Sequence, residues 1–152
     1  MTLDSIDRKL IKLLISDSRR PLKNLAHAVG LSSPSVGERM KRLAERGVIR
    51  GYTVDVDPAA TGYLIQAIVR VRPLPGKLAL VHKLIEETAE VSECDKITGE
   101  DCFILRVFAT SLQHLDRIVD AIAEKAATNT AIVKSQPVKR RPPALLERAT
   151  GS

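Results

Sequence analysis

The sequence predicts an α+β fold, with an N-terminal (winged) helix-turn-helix domain followed by a ferredoxin-like βαββαβ domain. Apolar residues recur at helical spacing through the first third of the chain, and from Leu64 onward the period changes to two. Beyond that point strand and helix patterns follow one another in the order β-α-β-β-α-β. The predicted domains are 1–50 for the helix-turn-helix, 51–63 for a linking strand, 64–138 for the ferredoxin-like domain and 139–152 for a basic tail.

The positive charge of the chain is concentrated in its first third. Residues 1–50 hold 11 Lys and Arg against 5 Asp and Glu, whereas residues 51–152 are electrically balanced. A local excess of this kind is typical of a surface that meets a polyanion, most simply nucleic acid. The alternative is a solvated basic surface that has no partner.

Composition excludes several other classes of protein. The hydrophobic share of 44% is sufficient for a folded core, and no run of about 18 apolar residues is present to cross a membrane. The N-terminus is charged from Asp4 onward, which argues against a secretory signal. Two cysteines are too few for a disulfide scaffold. We therefore expect a cytoplasmic protein with no membrane partner.

Three helices are predicted in the first domain. Asp4 caps the first helix, with Asp7 three positions on as an acidic capping box, and the apolar stripe ends near Asp17. The second helix covers residues 22–29, and Gly30 ends it in a left-handed conformation. The third is capped by Ser32 and is ended by Gly47, with Pro34 in its first turn.

The spacing of Ala26, Gly30 and Val36 fits a helix-turn-helix, in which a small residue and a tight turn let two helices cross closely. With Val36, Met40 and Leu43 turned inward, the outer face of the third helix is basic and suits the major groove of double-stranded DNA. The residues expected near base edges are Ser33, Ser35, Glu38 and Arg39, and those expected near phosphates are Lys41, Arg42, Arg46 and Arg50.

The second domain begins with a strand that places Ala67, Val69 and Val71 on one face. Helices are predicted over residues 76–88 and 112–122, and further strands over 91–98, 102–109 and 130–138. Both helices would cover the same side of an antiparallel sheet. The other side carries Ile68, Ile104 and Phe108 among Arg70, Arg72 and Arg106. Such a half-apolar face predicts a symmetric homodimer.

The chain resembles the Lrp/AsnC family of transcription regulators over nearly its whole length. The matching segments are LDSIDRKLIKLL, LAHAVGLSSPSVGERMKRLAERGVIRGY, VDP with Gly62, ITGEDCFILRV and TNTAIVKS. The resemblance implies an N-terminal DNA-binding domain and a C-terminal effector-binding and oligomerisation domain of the RAM type. It also implies dimers that assemble further, up to octamers, and a small effector, commonly an amino acid, held between dimers.

In that family the effector pocket surrounds the turn between the second and third strands, with help from the last strand. The implied residues are Thr98, Gly99, Glu100, Asp101, Cys102, Thr128 and Thr130. Many family members carry an acidic residue where this chain has Cys102. Either Asp101 pairs with the effector ammonium from a shifted position or the effector differs. The alternative is an ordinary hairpin turn.

No motif in the sequence predicts catalysis, a metal site or a cofactor. Cys94 and Cys102 lack CxxC spacing, and a hairpin centred on Glu100 would pair Cys102 with Thr98. His27, His82 and His114 are interpreted as helix-surface residues. The competing functions are an architectural DNA-binding protein without an effector, and an enzyme with a DNA-binding head, which the lack of catalytic motifs disfavours. The tail is either flexible or forms a short helix over 144–149.

Overall fold

The computed structural model describes residues 3–145 and divides them into two compact units. The first unit contains the described residues up to Val54 together with those from Val138, and the second is Asp55–Pro137. In the first unit, helix α1 is Ser5–Ser16, α2 is Leu22–Val29 and α3 is Ser33–Glu45. The three predicted helices of the first domain are therefore confirmed.

The helix ends have the chemistry that the sequence predicts. The Asp4 carboxylate accepts the Asp7 backbone N–H at 2.7 Å, and the Asp7 carboxylate accepts the Asp4 N–H at 3.4 Å, which together make the capping box. Gly30 ends α2 with a φ of 70°, a left-handed conformation that suits glycine. Ser32 Oγ accepts the Ser35 N–H at 3.3 Å at the start of α3.

The apolar stripes of the three helices meet in one core. Leu10, Leu25, Ala26 and Val36 are buried in it, and Met40 packs against it while remaining partly exposed. Ala26 therefore lies where α2 and α3 cross, as the helix-turn-helix spacing predicts.

The linking strand predicted over residues 51–63 does not form. Residues 50–57 adopt neither helix nor strand, and a short 3₁₀ helix, Ala59–Thr61, follows and ends at Gly62. The apolar–polar alternation in this segment has no neighbouring strand to pair with among the described residues, so Val54 stays 81% exposed. No wing hairpin follows α3 in this part of the chain.

The second unit contains the βαββαβ elements in the predicted order. They are β1 Ile65–Pro73, α4 Leu78–Glu87, β2 Val91–Lys96, β3 Phe103–Ala109, α5 Leu112–Ala123 and β4 Ala126–Ile132. All strand pairs are antiparallel, and the order across the sheet is β2-β3-β1-β4, as in a ferredoxin-like fold. The predicted fold class is confirmed.

The core of the second unit lies between the sheet and its two helices. Val69 and Leu105 point from the central strands toward Val81 of α4 and Ile118 of α5, and all four side chains are buried. Both helices therefore cover the same sheet face. The opposite face remains open in the single chain, with Ile68, Ile104 and Phe108 half-exposed.

Two strand predictions need correction. The fourth strand is Ala126–Ile132 and not 130–138, because it starts directly after α5 and pairs with Ala67–Pro73 of β1. In the β2–β3 hairpin Lys96 lies opposite Phe103, and the Ile97 N–H donates to the Cys102 carbonyl at 2.9 Å. Cys102 therefore faces Ile97 rather than Thr98, since the connection is longer than the three-residue turn that was expected.

Within residues 3–145, no helix is long and apolar enough to cross a membrane. Residues 139–145 of the tail form no helix or strand. Most of the helix suggested for 144–149 lies outside the described residues.

Candidate DNA interface and effector turn

The outer face of α3 presents most of the residues expected to contact DNA. Ser35, Glu38, Lys41, Arg42 and Arg46 are exposed, and Ser33 is half-buried at the first position of the helix. The Ser35 hydroxyl lies 2.8 Å from that of Ser32 at the capped end. Lys41 forms a long surface pair with Glu45, with 3.8 Å between Nζ and Oε1. Arg50 is exposed in the irregular segment after the helix.

Arg39 is placed differently from its neighbours. Its Nη1 donates to Asp4 Oδ2 at 2.6 Å and to Asp7 Oδ1 at 2.8 Å, and its side chain is only 25% exposed. The helical spacing predicts Arg39 on the free outer face of α3, but Arg39 lies at the edge of the buried stripe, three residues after Val36. In the structure Arg39 connects α3 to the capping residues of α1.

This contact places two carboxylates against one guanidinium. The hydrogen bond from the Asp7 backbone N–H has the largest effect on the pKa of Asp4 and lowers it; burial opposes this, and Arg39 lowers the pKa further by hydrogen bonding and by its charge. Asp4 is therefore ionised at neutral pH, and the two acids more than compensate the charge of Arg39. Both acids are committed to the helix start and cannot at the same time serve a ligand.

A cleft of about 240 Å³ runs beside this contact, lined by Asp4, Asp7, Arg39, Arg42, Leu43 and Arg46. Among the described residues, neither Arg42 nor Arg46 has an ion-pair partner. The geometry thus separates one ion-paired arginine, Arg39, from two exposed arginines that have no ion-pair partner among the described residues.

The effector turn is the loop between β2 and β3. Gly99 has a φ of 118°, which only glycine adopts readily, and Thr98, Glu100 and Asp101 flank it. The Cys102 N–H donates to the Val71 carbonyl at 3.0 Å, so the end of the loop is tied to β1. The five residues assigned by resemblance are therefore adjacent in space.

Sequence reasoning missed a cation beside this turn. Arg72 Nη1 lies 3.7 Å from Glu100 Oε2, and its Nε lies 4.0 Å from Asp101 Oδ1. Arg72 had been assigned only to the open sheet face. The register of the strands could have predicted this position of Arg72. Val71 of β1 lies opposite Phe103 of β3, so Arg72, the next residue of β1, reaches the loop that precedes β3.

Thr128 and Thr130 do not join the turn within one chain. They lie opposite Val71 and Val69 on β4, which places them on the helix side of the sheet. Strand β1 separates β4 from β3, so about two strand spacings, roughly 10 Å, divide these threonines from the turn. A pocket using both sets would need residues from another copy.

A second cleft of about 230 Å³ was not predicted. Its lining residues are Val56, Pro58, Thr61, Tyr63, Ala89, Glu90, Ser92 and Phe108. Beside it His114 Nε2 lies 3.2 Å from Glu90 Oε1, and the Thr110 N–H donates to His114 Nδ1 at 3.3 Å. Both ring nitrogens of His114 therefore have hydrogen-bond partners, so the prediction of an unpartnered helix-surface side chain is wrong for this residue.

Cys94 and Cys102 are free thiols in the β2–β3 hairpin. Burial, aided by the charges of Asp95 and Glu86, raises the pKa of Cys94, which favours its protonated form. In the portion that the structure describes, no group of three or more His, Cys, Asp or Glu residues is placed to hold a metal ion.

A helix-turn-helix unit with an exposed cationic helix, joined to a separate α+β unit with a charged turn, defines a DNA-binding transcriptional regulator. Residues 3–44 match the family model of the AsnC-type helix-turn-helix domain, and residues 66–143 match that of the Lrp/AsnC ligand binding domain. The chain belongs to the Lrp/AsnC family, which consists of transcriptional regulators and not of enzymes.

Individual relatives agree with this assignment. The HTH-type transcriptional regulator LrpA of Mycobacterium tuberculosis is 36% identical over 129 residues, which cover 84% of this chain and 86% of the relative. The feast or famine regulatory protein of M. tuberculosis complexed with L-methionine has a TM-score of 0.86 at 33% identity, covering 93% of this chain and 98% of that one. LrpC of Bacillus subtilis has a TM-score of 0.86 at 29% identity, with coverages of 92% and 100%.

Proposed function

We propose that this protein is a cytoplasmic one-component regulator that binds specific double-stranded DNA through α3 and responds to an amino-acid effector held at the β2–β3 turn. The observation that carries the DNA-binding part is the exposed outer face of α3. It combines a small, polar N-terminal end with two arginines, Arg42 and Arg46, that have no ion-pair partner in residues 3–145.

The DNA contacts are divided by position along the helix. Ser33, Ser35 and Glu38 lie at the N-terminal end, which enters the major groove first in this class of motif, and they would face base edges. Lys41, Arg42, Arg46 and Arg50 would neutralise phosphates and supply most of the salt-dependent affinity. Arg39 is assigned to holding the helix in place, because its guanidinium is already bound by Asp4 and Asp7.

The effector is proposed to be an amino acid. A relative of similar fold was solved with L-methionine, and the turn of this chain combines carboxylates with a glycine-containing backbone that can approach a small ligand closely. Thr128 and Thr130 would complete the pocket only from a neighbouring copy, since β1 separates them from the turn of their own chain.

The chain is proposed to form homodimers that assemble into octamers. The half-exposed Ile68, Ile104 and Phe108 give the open sheet face an apolar centre that suits a second copy. An effector bound between dimers would change DNA binding by favouring one assembly over another, to the extent that its affinity for the two differs.

DNA binding and effector response can be tested together. Fluorescence anisotropy would compare a duplex selected by the protein from a randomised pool with scrambled DNA of equal length, at several salt concentrations and with each of the twenty L-amino acids. We expect salt-dependent affinity for both DNAs, a preference for the selected duplex, and a shift in affinity and oligomer mass with at least one amino acid. Equal affinity for the two DNAs with no response to any amino acid would instead identify an architectural DNA-binding protein.

A further inference from the structure

The second cleft lies entirely within the second unit. One of its walls is the segment 56–63, which contains the short 3₁₀ helix, and the other wall includes Glu90 and Phe108. Glu90 directly precedes β2 and Phe108 is next to the last residue of β3, so the cleft lies at the open end of the β2–β3 hairpin. The turn that contains Gly99 closes the opposite end. The cleft is therefore separate from the effector turn.

Among the described residues that line the cleft, Glu90 alone is charged. Its side chain is 27% exposed, and its Oε1 lies 3.2 Å from His114 Nε2. The Thr110 N–H donates to His114 Nδ1 at 3.3 Å, so we assign the proton of a neutral ring to Nε2, which donates to Glu90. His114 therefore orients the Glu90 carboxylate without cancelling its charge.

The charge of Glu90 has no other compensation nearby. In the part of the chain that the structure describes, no lysine or arginine forms an ion pair with this carboxylate. Arg106 lies two residues from Phe108 along β3, but its Nε already donates to Glu93 Oε2 at 3.1 Å. A partly buried carboxylate with no cation beside it is unfavourable, because water solvates it incompletely. The cleft therefore suits a cationic ligand.

The rest of the lining suits an alkyl stem. Val56, Pro58 and Ala89 are apolar, and Tyr63 and Phe108 are aromatic residues, whose rings attract cations through their negative faces. The volume of the cleft is about 230 Å³. This is the volume of about seven or eight molecules of liquid water, so an amine of roughly six to eight non-hydrogen atoms fits.

Two hydroxyl groups of the lining are already bonded. Thr61 Oγ1 donates to the Pro58 carbonyl at 2.9 Å, and Ser92 Oγ donates to the Arg106 carbonyl at 3.2 Å. A carboxylate on the ligand would thus lie close to Glu90 and be repelled by it, with no lysine or arginine in the described lining to bind it. The cleft therefore favours a simple amine over an amino acid.

We propose that the second cleft binds a free primary alkylamine, whose ammonium donates to Glu90 and whose alkyl stem packs against Tyr63 and Phe108. The site gives the protein a second small ligand, which differs in charge and in place from the amino acid assigned to the effector turn. It does not depend on that assignment.

The test uses pentylamine and cadaverine as probes, with pentanol and hexanoate as matched neutral and anionic molecules. Calorimetry on the full chain gives the affinities, and light scattering reports the oligomer mass. Glu90→Gln removes the charge and keeps the shape of the side chain. Its matched control is Glu87→Gln, because Glu87 is an exposed residue of α4 that does not line the cleft. Asp101→Asn alters the effector turn instead, and Tyr63→Leu removes one aromatic ring of the cleft.

We expect the unaltered protein to bind both amines and to bind pentanol and hexanoate much more weakly. In Glu90→Gln the amines should bind about 10- to 100-fold more weakly, because hydrogen bonds to a charged group are lost. Tyr63→Leu should weaken amine binding about 3- to 30-fold through the loss of the cation–π contact. Glu87→Gln and Asp101→Asn should keep the amine affinities within about twofold.

Four results would overturn the proposal. The first is an unaltered protein that binds neither amine, and the second is pentanol binding as tightly as pentylamine, which would indicate a merely apolar cleft. The third is a folded Glu90→Gln protein that keeps its amine affinity, or an equal loss in Asp101→Asn, which would move the amine to the effector turn. The fourth is a lower oligomer mass in Glu90→Gln without amine binding, which would show that a lysine or arginine of a second copy occupies the cleft.

Discussion

At the scale of single residues, the N-terminal unit uses two acids for two purposes at once. Asp4 and Asp7 cap α1 through each other's backbone N–H, and the same carboxylates accept hydrogen bonds from Arg39. The capping box could be predicted because its partners are three residues apart. The contact with Arg39 could not, because 35 and 32 residues separate it from the two acids and only the packing of α3 on α1 brings them together.

The two arginines of α3 should separate stability from DNA affinity. Arg39→Ala leaves the largely buried Asp7 carboxylate without its cation, and we expect the free energy of unfolding to fall by about 1–3 kcal/mol. Arg42→Ala should leave stability within about 0.5 kcal/mol and weaken binding to specific and scrambled DNA alike, because it loses a phosphate contact. Denaturant unfolding and fluorescence anisotropy measure the two effects.

The same comparison has a pH signature. The folded state holds the pKa of Asp4 below its ordinary 3.8, so Asp4 contributes stability above that value and loses it as pH falls through the lowered pKa. The stability difference between the unaltered chain and Arg39→Ala should therefore shrink in strongly acidic solution. A difference that stays constant down to that range would contradict the ion pair with Asp4 as its source. An Arg39→Ala protein that is fully stable but binds DNA without sequence preference would restore Arg39 as a base-reading residue.

At the scale of elements, the sequence predicts correctly those helices and strands that are determined by interactions between residues close together in the chain. The helices of the first unit and the buried alternation of β1 follow from caps and periodicity within a few residues. The predictions were wrong where pairing with a distant strand determines whether and where a strand forms. Strand β4 was predicted too late because its first residues are small or polar and the apolar pair Ile132 and Val133 at its end is more conspicuous, although pairing with β1 sets its true position. Apolar and polar residues alternate in the linker segment as they do in a strand, but no neighbouring strand pairs with it among the described residues.

Two glycines around the helix-turn-helix should respond in opposite directions to alanine. Gly37 lies inside α3, and a Cβ there would meet Leu22 Cδ2 at 3.7 Å, an ordinary contact distance. Gly37→Ala should therefore stabilise the protein by about 0.5–1 kcal/mol through helix propensity. Gly30→Ala should destabilise it by about 1–2 kcal/mol, because φ is +70° at that position.

Thermal and denaturant unfolding of both variants show whether each substitution raises or lowers the free energy of unfolding. Measuring the DNA affinity of Gly37→Ala tests in addition whether the glycine is needed for binding. If Gly37→Ala is more stable but loses DNA binding, then close approach of the backbone to DNA explains the glycine. Unchanged DNA binding with greater stability would show that α3 tolerates alanine at this position. A destabilised Gly37→Ala protein would contradict the open space beside Leu22 at this position.

At the scale of the whole molecule, the proposed regulation depends on a surface that one chain leaves open. Helices α4 and α5 cover one side of the sheet, and no other α-helix or strand of the second unit covers the opposite side of the central strands. The two sets of effector residues also remain apart within one copy. Both facts favour a function that arises between copies, in which ligand binding and DNA-site pairing share the same assembly.

The open face can be tested with a matched pair of isoleucines. Ile104 is half-exposed at the centre of this face, and Ile15 is 51% exposed on α1, in the other unit. Burying one isoleucine is worth about 1.5–3 kcal/mol, and a two-fold interface contains it twice, so Ile104→Asp should weaken dimerisation by roughly 10²–10⁴-fold. Ile15→Asp makes the same chemical change elsewhere and should leave the mass in solution unaltered. Light scattering across a dilution series measures the oligomer mass of both variants. An Ile104→Asp protein that stays folded and keeps its full assembly mass would show that a different surface joins the copies.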